Sequence, residues 1–105
     1  MEFLVRTDIE LPNDVPPAAR EDLIAKEIVR GRQLLAEGTI RRIWRVPGSW
    51  AAIALYEVDS INDLHNAVAS LPLWRWMRVT VTPLAVHTLE LDSAGDPAEL
   101  ASRWT

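Results

Sequence analysis

The stretch TIRRIWRV-PGS-WAAIALYEV, from Thr39 to Val58, consists of two runs rich in β-branched and aromatic residues parted by Pro47-Gly48-Ser49. Such residues fit a pleated, half-buried surface and Pro-Gly-Ser is turn chemistry, so Thr39–Val46 and Trp50–Val58 read as an antiparallel hairpin. Ile40, Trp44 and Val46 alternate with Ile43, while Trp50, Ala52, Ala54 and Tyr56 alternate with Ala51, Ile53 and Leu55. Both faces of the hairpin are therefore apolar. An antiparallel sheet apolar on both sides needs two covers. Helices of the same chain can supply one, and a second copy of the chain is the simplest choice for the other.

Upstream of the hairpin, Gly38 stops a helix that enters near Pro16-Pro17 and runs to about Ala36, with Glu21 and Asp22 toward the positive end of its dipole. Phe3–Ile9 alternates, with Phe3, Val5 and Ile9 on one face, and reads as the first strand. Downstream, Ser60 with Asp63 resembles a capping box. It opens a second helix whose stripe of Ile61, Leu64, Val68 and Leu71 is ended by Pro72. Arg78–His87 is the last strand, and Pro83 means that it bends or lies at a sheet edge. The order is βαββαβ, a ferredoxin-like α+β domain: a four-stranded antiparallel sheet with two helices on one face. It spans residues 1–87. Residues 88–105 form a tail, with a linker from Asp92 to Pro97 and a short helix from Pro97 to Trp104, whose aromatic end is expected to dock on the body or on a neighbour.

Composition sets the outer limits. A chain of 105 residues makes one domain, and a domain this small gains core by self-association. A net charge of −4 argues against a nucleic-acid partner. The chain has no cysteine, which removes disulfides, thiolate metal sites and a Cys nucleophile and fits a cytoplasmic protein. No stretch has transmembrane length and no secretory signal pattern is seen, so no membrane partner is expected. His65 and His87 stand far apart, which argues against a dedicated metal site.

Glu27 is the most informative polar residue. It sits within the helical stripe of Leu23, Ile24, Ile28, Gly31, Leu34 and Leu35. A carboxylate on that face loses solvation, its pKa rises, and it becomes suited to carrying a proton. Gly31, one turn on, leaves a gap where a side chain would stand. For a single Glu, snorkelling or pairing with an Arg is the commoner outcome, and both stay open at this point. Arg41, Arg42 and Arg45 form a basic cluster suited to a small carboxylate. Alternation puts Arg41 and Arg45 with Ile43, and Arg42 with Trp44. Exposed arginines paired with surface acids are the plainer alternative. Trp44, Trp50, Trp74 and Trp76 can wall a pocket or fill an interface, the latter being the commoner use of Trp. His65, beside the second helix's stripe, is more often a packed, hydrogen-bonded residue than a catalyst, and His87 is equally ambiguous.

Taken together, Glu37-Gly38-Thr39 followed by Arg41 and Trp44-Arg45 resembles the EGT-x-R-x-x-WR segment of the muconolactone Δ-isomerase family. Leu11-Pro12, Glu27, Gly48, Leu64-His65, Leu71-Pro72-Leu73 and Met77 fall in the same register. The resemblance covers about residues 1–87. It implies a dimeric α/β barrel assembled into a larger homo-oligomer, typically a decamer, with a sheet–helix pocket completed by a neighbouring subunit. It also implies cofactor-free and metal-free conversion of muconolactone, a lactone carboxylate, to 3-oxoadipate enol-lactone in catechol degradation. Glu27 matches the family's acid/base residue, and Arg41, Arg42, Arg45, Trp44, Trp50, His65, Trp74 and Trp76 are the candidate substrate-binding residues. Arg42, Ser49-Trp50 and Trp74-Arg75-Trp76 depart from the family pattern. Chloromuconolactone dehalogenases share the scaffold, so dehalogenation, or a non-catalytic binding or assembly role, is the alternative.

Overall fold

The computed structural model describes residues 1–91 and 94–104. Its elements are β1 (Glu2–Ile9), α1 (Pro17–Ala36), β2 (Ile40–Arg45), β3 (Ala51–Glu57), α2 (Ile61–Ala69) and β4 (Met77–Leu84), followed in the tail by α3 (Thr88–Leu91) and α4 (Pro97–Leu100). The strands form one antiparallel sheet in the order β2-β3-β1-β4. Phe3 and Val5 of β1, Ala54 and Tyr56 of β3 and Ile40 of β2 share a face, on which they pack against Leu34 of α1 and Leu64 and Val68 of α2. Both helices therefore lie on one side, and the architecture is the ferredoxin-like one that the hairpin and its flanks predict.

The helix boundaries have local causes. Pro17 stands at the first helical position of α1, where a missing N–H costs nothing. Gly38, at φ 81°, accepts the left-handed turn that ends α1. Because α1 opens at Pro17, its first turn contains no acid; Glu21 and Asp22 fall in the second turn, so the expected dipole contribution is weaker. The Ser60 hydroxyl caps α2 by accepting from the Asp63 N–H at 3.0 Å. That helix ends at Ala69 rather than Leu71, because a residue preceding proline is forced away from helical backbone. Leu71 is still buried in the core.

Three strand details differ from simple alternation. β2 carries a bulge: Ile40 pairs with Tyr56, yet Arg42 already pairs with Leu55. The extra residue, Arg41, drops out of the ladder, and Ile40 joins Ile43 and Arg45 on the helix-side face instead of Trp44. β4 stops at Leu84 rather than His87, because Leu84 pairs with Glu2, the first residue of β1, and no partner strand continues beyond it. Pro83 is tolerated because β4 is an edge strand.

The other sheet face, carrying Leu4, Ile53, Leu55, Arg42 and Trp44, lies away from both helices. On it Arg6 donates to both carboxylate oxygens of Asp8, at 2.9 and 3.0 Å. The tail does not fold onto the body. The molecule measures 61 × 28 × 20 Å with a radius of gyration of 17.8 Å, against about 13 Å for a compact domain of this length. Instead the tail closes on itself: Trp104 meets His87 edge-on at 4.8 Å between ring centroids, and the Thr88 hydroxyl donates to the Arg103 carbonyl. Of the linker, Asp92 and Ser93 lie outside the described residues. Among the described residues no helix is long and apolar enough to cross a membrane.

Candidate active site

The apolar stripe of α1 divides its work. Near the C-terminal end Leu34 enters the core, whereas Ile24, Glu27, Ile28 and Gly31 stand over the sheet and leave a cavity beneath them of about 510 Å³. That volume is within the range of roughly 300–1,000 Å³ usual for small-molecule sites. Ala52 and Ala54 of β3 keep the floor low, Ile43 and Arg45 come from β2, and Leu71, Leu73 and Met77 close the far side. The space is mainly aliphatic, with a few polar groups converging on it. A Cβ built on Gly31 meets nothing within 4 Å, so the gap expected from the sequence is present. Ile28 is 49% exposed because it roofs this opening instead of joining the core.

Glu27 projects from α1 into this cavity and is half-buried. Its Oε1 accepts a hydrogen bond of 2.9 Å from the backbone N–H of Leu73, in the turn that follows Pro72. Burial pushes the Glu27 carboxyl above the usual carboxylate range, and the Leu73 N–H, which favours the ionised form, partly offsets this. Among the described residues no hydrogen bond or ion pair engages Oε2. One oxygen thus orients the group, and the other is free for a ligand. Glu27 neither snorkels to bulk water nor pairs with an arginine.

The remaining expected residues are distributed unevenly. Arg45 and Trp50 line the cavity with Glu27, and Trp44 borders it from its place in β2 although it alternates onto the outer face. Arg45 shares the helix-side face with Ile43 and makes no ion pair among the described residues, so its guanidinium is free to meet an anion at the rim. Trp50 is further held by Arg20 of α1, whose guanidinium carbon stands 4.8 Å from the ring centroid. Arg41, Arg42, His65, Trp74 and Trp76 do not line it. Arg42 stacks on Trp44 at 5.0 Å on the outer face, and exposed His65 meets Trp74 edge-on at 6.0 Å. Among the described residues no group of three His, Asp or Glu converges as metal ligands would.

Sequence reasoning passed over one cavity residue. Tyr56 lines the cavity and is only 2% exposed. Burial and the nearby Glu27 carboxylate push its phenol up to about 12, opposed by Arg30. The available signal was a lone tyrosine at an inward position of a central strand, which reads equally well as core.

The fold and this site define a class: a small ferredoxin-like α+β domain whose sheet–helix cavity holds a carboxylic acid of raised proton affinity. A family profile described as Muconolactone delta-isomerase matches residues 1–90. The Muconolactone Delta-isomerase of Cupriavidus pinatubonensis is 40% identical over 87 residues, covering 83% of this chain and 95% of its own length. The enzyme of that name from Rhodococcus opacus is 35% identical over 85 residues, covering 81% and 91%. A crystal structure of muconolactone isomerase matches with a TM-score of 0.79 at 36% identity, over 83% of this chain and 91% of that one. A 5-chloro-2-hydroxyhydroquinone dehydrochlorinase from Burkholderia phenoliruptrix shares the fold, with a TM-score of 0.63 at 18% identity over 83% of this chain and 95% of that one. The chain belongs to the muconolactone Δ-isomerase family.

Two outcomes follow from this geometry. A carboxyl whose pKa is raised on folding binds its proton more tightly in the native state, so stability falls as pH rises from the usual carboxylate range through the raised value. Glu27→Gln keeps an acceptor for the Leu73 N–H and removes that slope. In urea unfolding at a series of pH values, the stability of the variant relative to wild type should grow between about pH 4 and pH 8; parallel curves would contradict the burial of this acid. At Gly31 the open space admits a methyl group, so Gly31→Ala should stabilise the helix by about 1 kcal/mol. Gly31→Leu should instead fill the cavity and raise KM for any ligand that occupies it.

Proposed function

We propose that this chain is a muconolactone Δ-isomerase, moving a C=C bond within a carboxylated butenolide by a 1,3 proton transfer during aromatic degradation. The observation that carries the reading is Glu27: a half-buried carboxyl over an apolar cavity, one oxygen tied to the Leu73 N–H and the other free. In the lactone, the γ C–H is acidified by conjugation to the carbonyl. Ionised Glu27 takes that proton, and the C–H electrons become part of a dienolate whose charge rests on the carbonyl oxygen. The protonated carboxyl then returns the proton to the α carbon, leaving the double bond between the β and γ carbons. Atoms and charge balance without any co-reactant. A carboxyl with raised proton affinity suits both halves of the transfer.

We assign the substrate's free carboxylate to Arg45, supported by its being the one of the three clustered arginines that borders the cavity. Trp50 flanks the same space and limits water around Glu27. Arg41, Arg42, His65, Trp74 and Trp76 are better placed to serve an interface than the substrate. The sheet face that carries Leu4, Ile53, Leu55 and Trp44 is suited to a second copy of the chain, building a homo-oligomer. Residues 1–87 then form the enzyme domain, and 88–105 an arm reaching a neighbouring subunit, with Val86, Leu91 and Trp104 exposed along it. The absence of cysteine suits a cytoplasmic protein.

Ultraviolet monitoring of the purified protein with muconolactone tests the activity directly. Wild type should convert it, and Glu27→Gln should lose about 10²–10⁴ in turnover. Failure of the wild-type protein to convert this lactone would remove the reading, and full turnover by Glu27→Gln would remove Glu27 from it. Light scattering should give a particle mass several times that of one chain, and a monomer at assay concentration would exclude the assembly.

A further inference from the structure

We propose that the Tyr56 hydroxyl donates a hydrogen bond to the lactone carbonyl oxygen, facing Glu27 across the cavity and stabilising the dienolate. The assignment rests on the isomerase reading above and names a second group that acts on the reacting atoms.

The argument begins with an unpartnered hydroxyl. Tyr56 sits at the centre of the sheet, on β3, opposite Phe3 on one side and Ile40 on the other, and its side chain is nearly all buried. Among the described residues no hydrogen bond is made by its hydroxyl, yet none of the enclosed side-chain oxygens lacks a partner. The hydroxyl oxygen must therefore reach open space, and the space that Tyr56 borders is the cavity. A tyrosine used only for packing would bury its polar end against an acceptor, because a buried hydroxyl without one costs about 1–3 kcal/mol. Here the polar end opens where a ligand would sit.

Its partner in the site is Glu27. The carboxyl comes down from α1 and the phenol comes up from the sheet, close enough for the Glu27 charge to hold the phenol proton on. Tyr56 accordingly remains a neutral donor throughout the working pH range and gives a hydrogen bond, not a proton. Proton abstraction at the γ carbon moves negative charge onto the lactone carbonyl oxygen, on the other side of the ring from the carbon that loses the proton. A donor on the opposite wall meets the charge where it develops, and a low-dielectric cavity strengthens the bond. Arg45, at the rim, is left for the substrate's carboxylate, so each of the three polar ends in the reaction has one protein group.

The test compares Tyr56→Phe with wild type and Glu27→Gln in the muconolactone assay. Tyr56→Phe should lower kcat by about 10²–10³, with KM changed much less and the acid limb of the pH profile, set by Glu27, in place. Because the chain has a single tyrosine, uniform 3-fluorotyrosine labels this position alone and disturbs packing little. Its fluorine resonance should shift when a saturated lactone carboxylate binds, which keeps the assignment testable if the Phe variant folds poorly. Wild-type turnover with Tyr56→Phe within twofold of it would overturn the Tyr56 role and leave the isomerase reading standing. A loss of unfolding midpoint with unchanged kcat would do the same, as would a fluorine resonance indifferent to ligand. No turnover by wild type would overturn both.

Discussion

A carboxyl group lowered among aliphatic side chains and held by a single backbone N–H governs this molecule. The 2.9 Å bond from Leu73 to Glu27 ties the middle of α1 to the turn after α2, joining parts of the chain 46 residues apart. The partner count determines the chemistry. With several donors the carboxylate would be held firmly ionised, and with none the buried charge would be too costly to keep. One donor fixes the orientation of Oε1, leaves Oε2 to the cavity, and lets burial raise the proton affinity. A group so balanced can take a proton and give it back.

The rest of the domain is arranged around keeping space beneath that group. Packing α1 on the sheet along its whole length would have been the more stable solution, since buried aliphatic area is the main source of stability. Instead Leu34 anchors one end, while Gly31 on the roof and Ala52 and Ala54 on the floor withhold side chains where the two layers would otherwise meet. The strands give most of the tight core, and of the helices α2 adds Leu64 and Val68 to it where α1 adds only Leu34. Two helices of similar pattern thus have different duties, one closing the core and the other roofing a site.

The outer sheet face and the tail follow a different logic. Arg42 stacked on Trp44, the Arg6–Asp8 pair and the exposed Val86, Leu91 and Trp104 of the tail all lie away from the cavity. Trp44, Val86 and Leu91 give this surface a partly apolar character. Of the aromatic residues that stay out of the cavity, Trp74 is exposed and belongs to this outward-looking set, whereas Trp76 is partly buried.

Several features were determined by the sequence alone, because their causes are local. Alternation and turn chemistry made the hairpin of residues 39–58 readable, proline and glycine marked the ends of both helices, and Pro83 required an edge strand. Glu27 and the Gly31 gap were visible because helical spacing places them on one face. The tertiary structure decided what depends on contacts between distant segments. The β2 bulge moved Ile40 to the helix side and took Arg41 out of the ladder, and no period-of-two pattern encodes an inserted residue. β4 ended at Leu84 because β1 offers no partner beyond Glu2. That Arg45 borders the cavity while Arg41 and Arg42 do not, and that Trp50 does while Trp74 and Trp76 do not, required the packed layers. Tyr56 required most of all: an inward tyrosine has the same sequence signature whether its hydroxyl meets another protein atom or open space, and only the packed neighbours distinguish the two.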